Sequence, residues 1–357
     1  MTRTDRTPRA RRTAVVVSVA TTATLLAGCA QELPQPVADD PFEGPVLTAA
    51  QETAVVDSVA GALEKAGKKR KPQLLEPRVT GPALEVRTSQ IEVAQARDDD
   101  SFVTSIPTEL KRMIIPTTQT WPRVSYTITE PTENLEVPRM VAYTQDSARD
   151  NYKMWSWVQL IPGTTMPNFA DPEVIGSAAV APDDDSLIVT PTQAIKQYAD
   201  LVARGTDKSK HADAFELPSD SPDLVQRVQE DAQTVRKAED FQDADGEYAL
   251  TFVPRTDQTV AVRTSDGGAV VMGVLDGNAR ATVEEDGEIG ALSVAQGALI
   301  GDEDKTNELY VEYTDQIALY VPPAGSSESM RPLGYSHVPV DASTSIPDKK
   351  NTDRSKN

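Results

Sequence analysis

Chemistry in a protein starts from its few reactive side chains, and here they are scarce. One cysteine, Cys29, and two histidines, His211 and His337, stand among 357 residues. A histidine-based triad needs an imidazole beside a nucleophile and an orienting acid. His211 lies in the polar stretch Lys208-Ser209-Lys210-His211-Ala212, and His337 in a C-terminal segment that thins into Gly, Ser and Pro. Both read as solvated loop histidines, and no G-x-S-x-G elbow occurs. No Walker loop, dinucleotide-binding glycine fingerprint or zinc-peptidase helix is present. The stretch from Phe241 to Gly246 resembles a calcium loop but has phenylalanine where that pattern needs an acid, at Phe241 and again at Phe252. Asp183-Asp184-Asp185 and Asp302-Glu303-Asp304 read as solvated acidic turns. The sequence nominates no catalytic residue, no metal ligand and no cofactor.

What remains is aromatic. Trp121, Trp155 and Trp157 are all the tryptophans of the chain, and Tyr126, Tyr143 and Tyr152 share their region. Trp155 and Trp157 are two apart, which predicts that both point to one face of a strand, with Met154, Ser156 and Val158 on the other. Such a face stacks on sugars or lines an apolar pocket, so Trp121, Tyr126, Trp155 and Trp157 are the candidate ligand-binding residues. A core role is the commoner fate of such side chains. The basic run Lys68-Lys69-Arg70-Lys71 either meets anionic lipid or complements the dipole of a preceding helix, and its place after Gly67 favours the dipole.

Cys29 has a different chemistry. Arg3, Arg6, Arg9, Arg11 and Arg12 precede a weakly apolar run, Thr13 to Ala27, which is too short and too rich in Thr to span a bilayer. Basic head, apolar centre and small-residue exit form a secretory signal. Leu26-Ala27-Gly28-Cys29 resembles the bacterial lipobox at all four positions. That resemblance implies removal of residues 1–28 and a diacylglyceryl group on the Cys29 sulfur. Two acyl chains suffice for stable anchoring, at roughly 0.8 kcal/mol per buried CH₂. The expected location is the extracytoplasmic face of the cell membrane. Arg11-Arg12 fits a twin-arginine signal poorly, so the general secretory route is expected.

Removing residues 1–28 takes away five Arg and one Asp and leaves a net charge near −24. That balance argues against nucleic acid, whose phosphates need Lys and Arg clusters. It suits solubility first, and a basic partner or divalent cations second. A single cysteine allows no internal disulfide and no Cys-type zinc site, so stability rests on packed cores.

Residues 29–47 read as an acidic, proline-stiffened tether. Thr48 to Gln51 has capping-box form, with Val55, Val56, Val59 and Leu63 following at helical spacing and Gly67 as a stop. A second helix is expected from Ala83 to Ala96, ended by Asp98-Asp99-Asp100, then a short helix from Thr108 to Ile114. Strands follow over Arg123–Thr129, Arg139–Thr144 and Tyr152–Ile161. Thr190-Pro191-Thr192-Gln193 repeats the capping box, and another helix runs from Ser221 to about Ala238. Strands are then expected over Tyr248–Pro254, Thr259–Thr264, Ala269–Leu275, Ala279–Glu284, Glu308–Thr314 and Gln316–Val321. The pairs Asp266-Gly267, Asp276-Gly277 and Asp286-Gly287 mark hairpin turns between them. The expected class is α+β: two tandem units of helices on a curved antiparallel sheet, residues 48–180 and 187–323, then a mostly disordered tail over 324–357.

The stretches Trp121-Pro122-Arg123, Ser147 to Trp155 and Ile161-Pro162-Gly163 resemble a group of uncharacterised actinobacterial lipoproteins. The order of elements in each unit resembles the cystatin/NTF2-like class. The first resemblance implies a lipid-anchored envelope protein, and the second a cone-shaped pocket, which constrains fold more than function. The expectation is a non-enzymatic binding or assembly factor for an unknown envelope protein or glycan. The alternative is an envelope hydrolase or isomerase using carboxylates inside one cone.

Overall fold

The computed structural model describes residues 44–131, 137–285, 287–301 and 305–344. The signal segment, its lipobox residues Leu26, Ala27, Gly28 and Cys29, most of the tether, Asp302-Glu303-Asp304 and residues 345–357 lie outside the described residues. The described residues fall within one compact unit, Glu43–Asn357.

The first expected helix forms as α1 (Ala49–Lys69), with the Thr48 hydroxyl accepting from the Gln51 N–H and the Gln51 side chain reaching back to Thr48. Gly67 does not end it. Arg70 does, in the left-handed region at φ 49°, its N–H donating to the Ala66 and Gly67 carbonyls. Its guanidinium is held by Asp98 at 2.7 Å and Asp100 at 3.1 Å, so the reversal of charge in the basic run is answered by the acids that end α2 (Gly81–Arg97).

Four antiparallel strands follow: β1 (Leu110–Ile114), β2 (Arg123–Thr129), β3 (Arg139–Gln145) and β4 (Lys153–Leu160). The expected short helix at Thr108–Ile114 is instead β1, because cross-strand pairing with β2 outweighs local preference in so short a segment. Next come α3 (Pro191–Arg204), again with a full capping box at Thr190, and α4 (Leu224–Lys237), boxed by Asp223 and Gln226. The one-turn α5 (Glu239–Asp243) leads to β5 (Glu247–Pro254), β6 (Val260–Arg263), β7 (Ala269–Thr282) and β8 (Ile289–Gly290). The chain closes with α6 (Val294–Ile300), β9 (Lys305–Thr306), β10 (Glu308–Val321) and β11 (Arg331–Ser343).

Nine strands make one antiparallel sheet in the order β1-β2-β3-β4-β11-β10-β7-β5, and β6 shares the edge of β7 with β5. The α+β class with helices packed on an antiparallel sheet therefore holds. The division into units 48–180 and 187–323 does not separate the strands, because β11 joins them by pairing with β10 on one side and β4 on the other. β11 also corrects the expected disordered tail over its own span, 331–343. Its two interior prolines hid it: Pro332 and Pro339 each sit beside a register shift against β10, where a strand residue without an N–H is tolerated.

One predicted hairpin and one expected break between strands are also absent. Asp276-Gly277 lies inside β7, and the two expected strands at 308–314 and 316–321 are the single β10. Gly277 is there for space rather than for a turn. A Cβ at this position would lie 2.6 Å from Asp315 Oδ2 and 2.8 Å from Phe252 Cε1.

Alternation along the long strands divides the core. Val271 and Leu275 of β7 with Ile317 and Leu319 of β10 lie under α3 and α4. Val270, Met272, Val274, Ala318 and Tyr320 face the other way and join Ile128, Met140 and Val158. Val56, Val59, Val86 and Ile91 of α1 and α2 pack with Val141, Tyr143 and Trp157.

Candidate functional site

The sheet is continuous in order but not in pairing. β4 and β11 pair only at Leu160 with Gly334 and Gln159 with Tyr335, and then part like the arms of a fork. The backbone groups of β4 still need partners. Further along β4, the Trp157 N–H donates to Gln316 Oε1 at 3.0 Å, and the Met154 N–H to the Arg78 carbonyl at 2.8 Å. Helix α2, which starts just after Arg78, packs between the arms. Its Ser89 hydroxyl donates to the Pro339 carbonyl at 2.7 Å, and its Glu85 accepts from Thr314 at 3.0 Å. Arg255 clasps Glu85 through both terminal nitrogens at 2.8 Å and reaches Asp276 through Nε at 2.7 Å.

At the crotch of this fork lies a cavity of about 260 Å³. Arg139 enters from β3, Trp157 and Gln159 from β4, Tyr335 and His337 from β11, and Arg227 from α4. Twelve of the described residues line it, and none of those is Asp or Glu. A second hollow of about 340 Å³ over the β3–β4 turn mixes Asp146 and Asp150 with Arg149 and Lys153, so it offers no net charge.

His337 is held in the fork cleft by a hydrogen bond and a stacked ring. It stands opposite Asp315 in the β10–β11 ladder, and its Nδ1 hydrogen-bonds Asp315 Oδ1. Tyr313 stacks on the ring at 4.2 Å between centroids, 11° from parallel, and Gln296 of α6 donates to the Tyr313 hydroxyl at 2.8 Å. Asp315 is fully buried and its Oδ2 has no partner among the described residues. Burial pushes its carboxyl up, and the neighbouring imidazole pulls it back toward the charged form. With Nδ1 taken up by Asp315, Nε2 is the nitrogen left for the cleft. The expectation of a solvated loop histidine is thus corrected: its partner lies 22 residues away on a neighbouring strand.

Residues 43–344 match a family described as a domain of unknown function (DUF8094). The chain belongs to that family. No curated protein and no solved structure matches it.

Within the DUF8094 unit the four aromatic candidates do not form one surface. Trp121 is 38% exposed, with Arg123 over its ring at 4.1 Å and its Nε1 donating to Gln145. Tyr126 and Trp155 are buried with Met140 and Val158, whereas Trp157 is buried with Val141, Tyr143 and Met154. The expectation that Trp155 and Trp157 share a face fails because the β3–β4 register shifts at Trp155, and one extra residue reverses the alternation. Trp157 alone reaches the cleft, with Arg87 over its ring at 5.1 Å.

The DUF8094 unit also encloses an acid. Glu52 of α1 is fully buried, neither carboxyl oxygen has a partner among the described residues, and burial pushes its pKa up to about 7 against a smaller opposing effect of Ser125. The hydroxyls of Ser125, Thr127 and Tyr152 are also buried without hydrogen-bond partners there. Among the described residues no group of three or more His, Cys, Asp or Glu is arranged to hold a metal, and no helix is long and apolar enough to cross a membrane.

Proposed function

We propose that this protein is a lipid-anchored factor of the extracytoplasmic face of the cell membrane, held through Cys29, and that its folded unit binds a ligand rather than transforming one. The observation that carries the binding reading is the fork. Leaving strands β4 and β11 unpaired beyond two positions forgoes ladder hydrogen bonds, and the resulting gap is a cavity with Trp157, Tyr335 and the paired His337 in its wall. A pre-formed concavity with a few placed polar groups is the usual form of a small-ligand site. The lipobox resemblance of Leu26-Ala27-Gly28-Cys29 supports the anchor, and the acidic balance of the chain supports exposure to solvent beyond it.

The test joins both parts. Cells expressing the full chain or its Cys29→Ser variant are labelled with an alkyne fatty acid and fractionated, and each protein is screened in detergent by thermal shift against envelope glycans and small metabolites. The proposal expects label and membrane retention only with Cys29, and at least one stabilising ligand whose effect disappears when Ser336→Trp fills the cleft. Label that persists without Cys29 refutes the anchor. Stabilisation untouched by Ser336→Trp refutes the cleft.

One observation favours a second reading, an envelope hydrolase or isomerase: the Asp315–His337 pair has the geometry of an oriented general base. That reading expects turnover of a cleft ligand that His337→Gln abolishes while leaving its binding intact.

A further inference from the structure

We propose that the fork cleft is an anion site that takes a small ligand bearing a carboxylate or phosphate head, held between Arg227 and His337, with Arg139 in the same wall. This rests on the cleft being a ligand site and names the class of ligand.

Charge is the first argument. The chain carries 55 acids against 35 Lys and Arg, yet the described residues of the cleft wall include two arginines, a histidine and no acid. Arg227 is paired with Asp231 and His337 with Asp315, but neither acid is part of the wall, so the nitrogen-bearing groups and not their partners line the cavity. The second argument is the state of the donors. Arg227 binds Asp231 through Nε at 2.9 Å, and its two terminal nitrogens make no other hydrogen bond among the described residues. That leaves the planar pair of donors which matches an oxyanion. Gln159 and Ser336 add uncharged donors to the same wall. The third argument is His337. Asp315 fixes its Nδ1 and Tyr313 covers a ring face, so Nε2 is the atom it can offer.

Around His337, Asp315 lies beneath it on β10, Tyr313 stacks from β10, Tyr335 lies two residues along β11, and Arg227 of α4 and Arg139 of β3 share the cleft.

The experiment titrates the full chain, in detergent and at constant ionic strength, with inorganic phosphate and separately with malonate by calorimetry. Saturable binding of either probe, weakened about tenfold by Arg227→Gln, is expected. His337→Gln should weaken it likewise while the melting profile shows the variant folded. Which probe binds more tightly assigns the head as phosphate or carboxylate. If neither probe saturates, or binding ignores both Arg227 and His337, the anion inference is overturned. A neutral ligand that stabilises the protein and is blocked by Ser336→Trp would still leave the cleft itself standing.

Discussion

The backbone N–H of Trp157 on β4 is answered by the side-chain oxygen of Gln316 on β10, 3.0 Å away, and not by a neighbouring strand. One side chain thus stands in for a stretch of ladder where β4 and β11 part. The orientation of the amide follows from the bond, since only Oε1 can accept, and Nε2 is left buried without a partner.

Gln316→Ala removes that acceptor and leaves a void at a fully buried position. An orphaned N–H and a cavity together should destabilise the protein by about 3 kcal/mol. Urea unfolding checks the magnitude. Faster amide exchange at Trp157 than at Val141, its partner in the β3–β4 ladder, would place the loss at the fork.

Glu52 makes stability depend on pH in an identifiable window. Its ordinary pKa is 4.5 and its folded value is about 7. Below the first value both folded and unfolded forms hold the proton, and above the second neither does. Between them only the folded form keeps it, so the contribution is fully present below the ordinary pKa and is lost as pH rises through the folded one. The loss is on the order of 3 kcal/mol. Glu52→Gln should flatten stability across this window and exceed the natural chain at about pH 8. An equal dependence of unfolding free energy on pH in the two proteins, read by chemical denaturation, would refute it.

Gly277→Ala should be poorly tolerated although the position is in a regular strand. The new Cβ meets Asp315 Oδ2 on one side and Phe252 on the other. Neither can retreat, because Asp315 is fully buried and tied to His337 and Phe252 is packed in the core. A loss of about 1–3 kcal/mol is expected by thermal or urea melting. Phosphate or malonate affinity should drop with it as the imidazole shifts.

The tryptophans separate core from surface. Trp157→Ala should cost about 3–5 kcal/mol, as for other large buried aromatics. Trp121→Ala, at an exposed site, should cost roughly 0.5 kcal/mol or less. Paired melting curves read both, and equal losses would contradict the burial difference.

Much of the fold was legible from local signals. The Thr48–Gln51 and Thr190–Gln193 boxes predict the starts of α1 and α3 because capping depends only on side chains three residues apart. β2, β3, β4 and β5 follow from composition and alternation within their own few residues. Local signals misled where a distant neighbour decides the backbone. Asp276-Gly277 has the form of a turn, but Asp315 and Phe252 require a residue without a Cβ there, and β7 runs straight through. Pro332 and Pro339 spoil the alternation of β11, and only the register shifts against β10 make room for them.

The candidate site lies almost wholly on the second side of that division. By itself the sequence determined the capped helices, the antiparallel character of the strands, the acidic balance and the lipobox resemblance at Cys29, all of which depend on neighbouring residues or on totals. Only the tertiary structure decided that the C-terminal segment lies in the middle of the sheet and that β4 and β11 part around α2. It alone brings His337 against Asp315, and Arg139 and Arg227 to one cleft. These are contacts between segments far apart in the chain. Strand order and register set them, and no spacing within one segment records either.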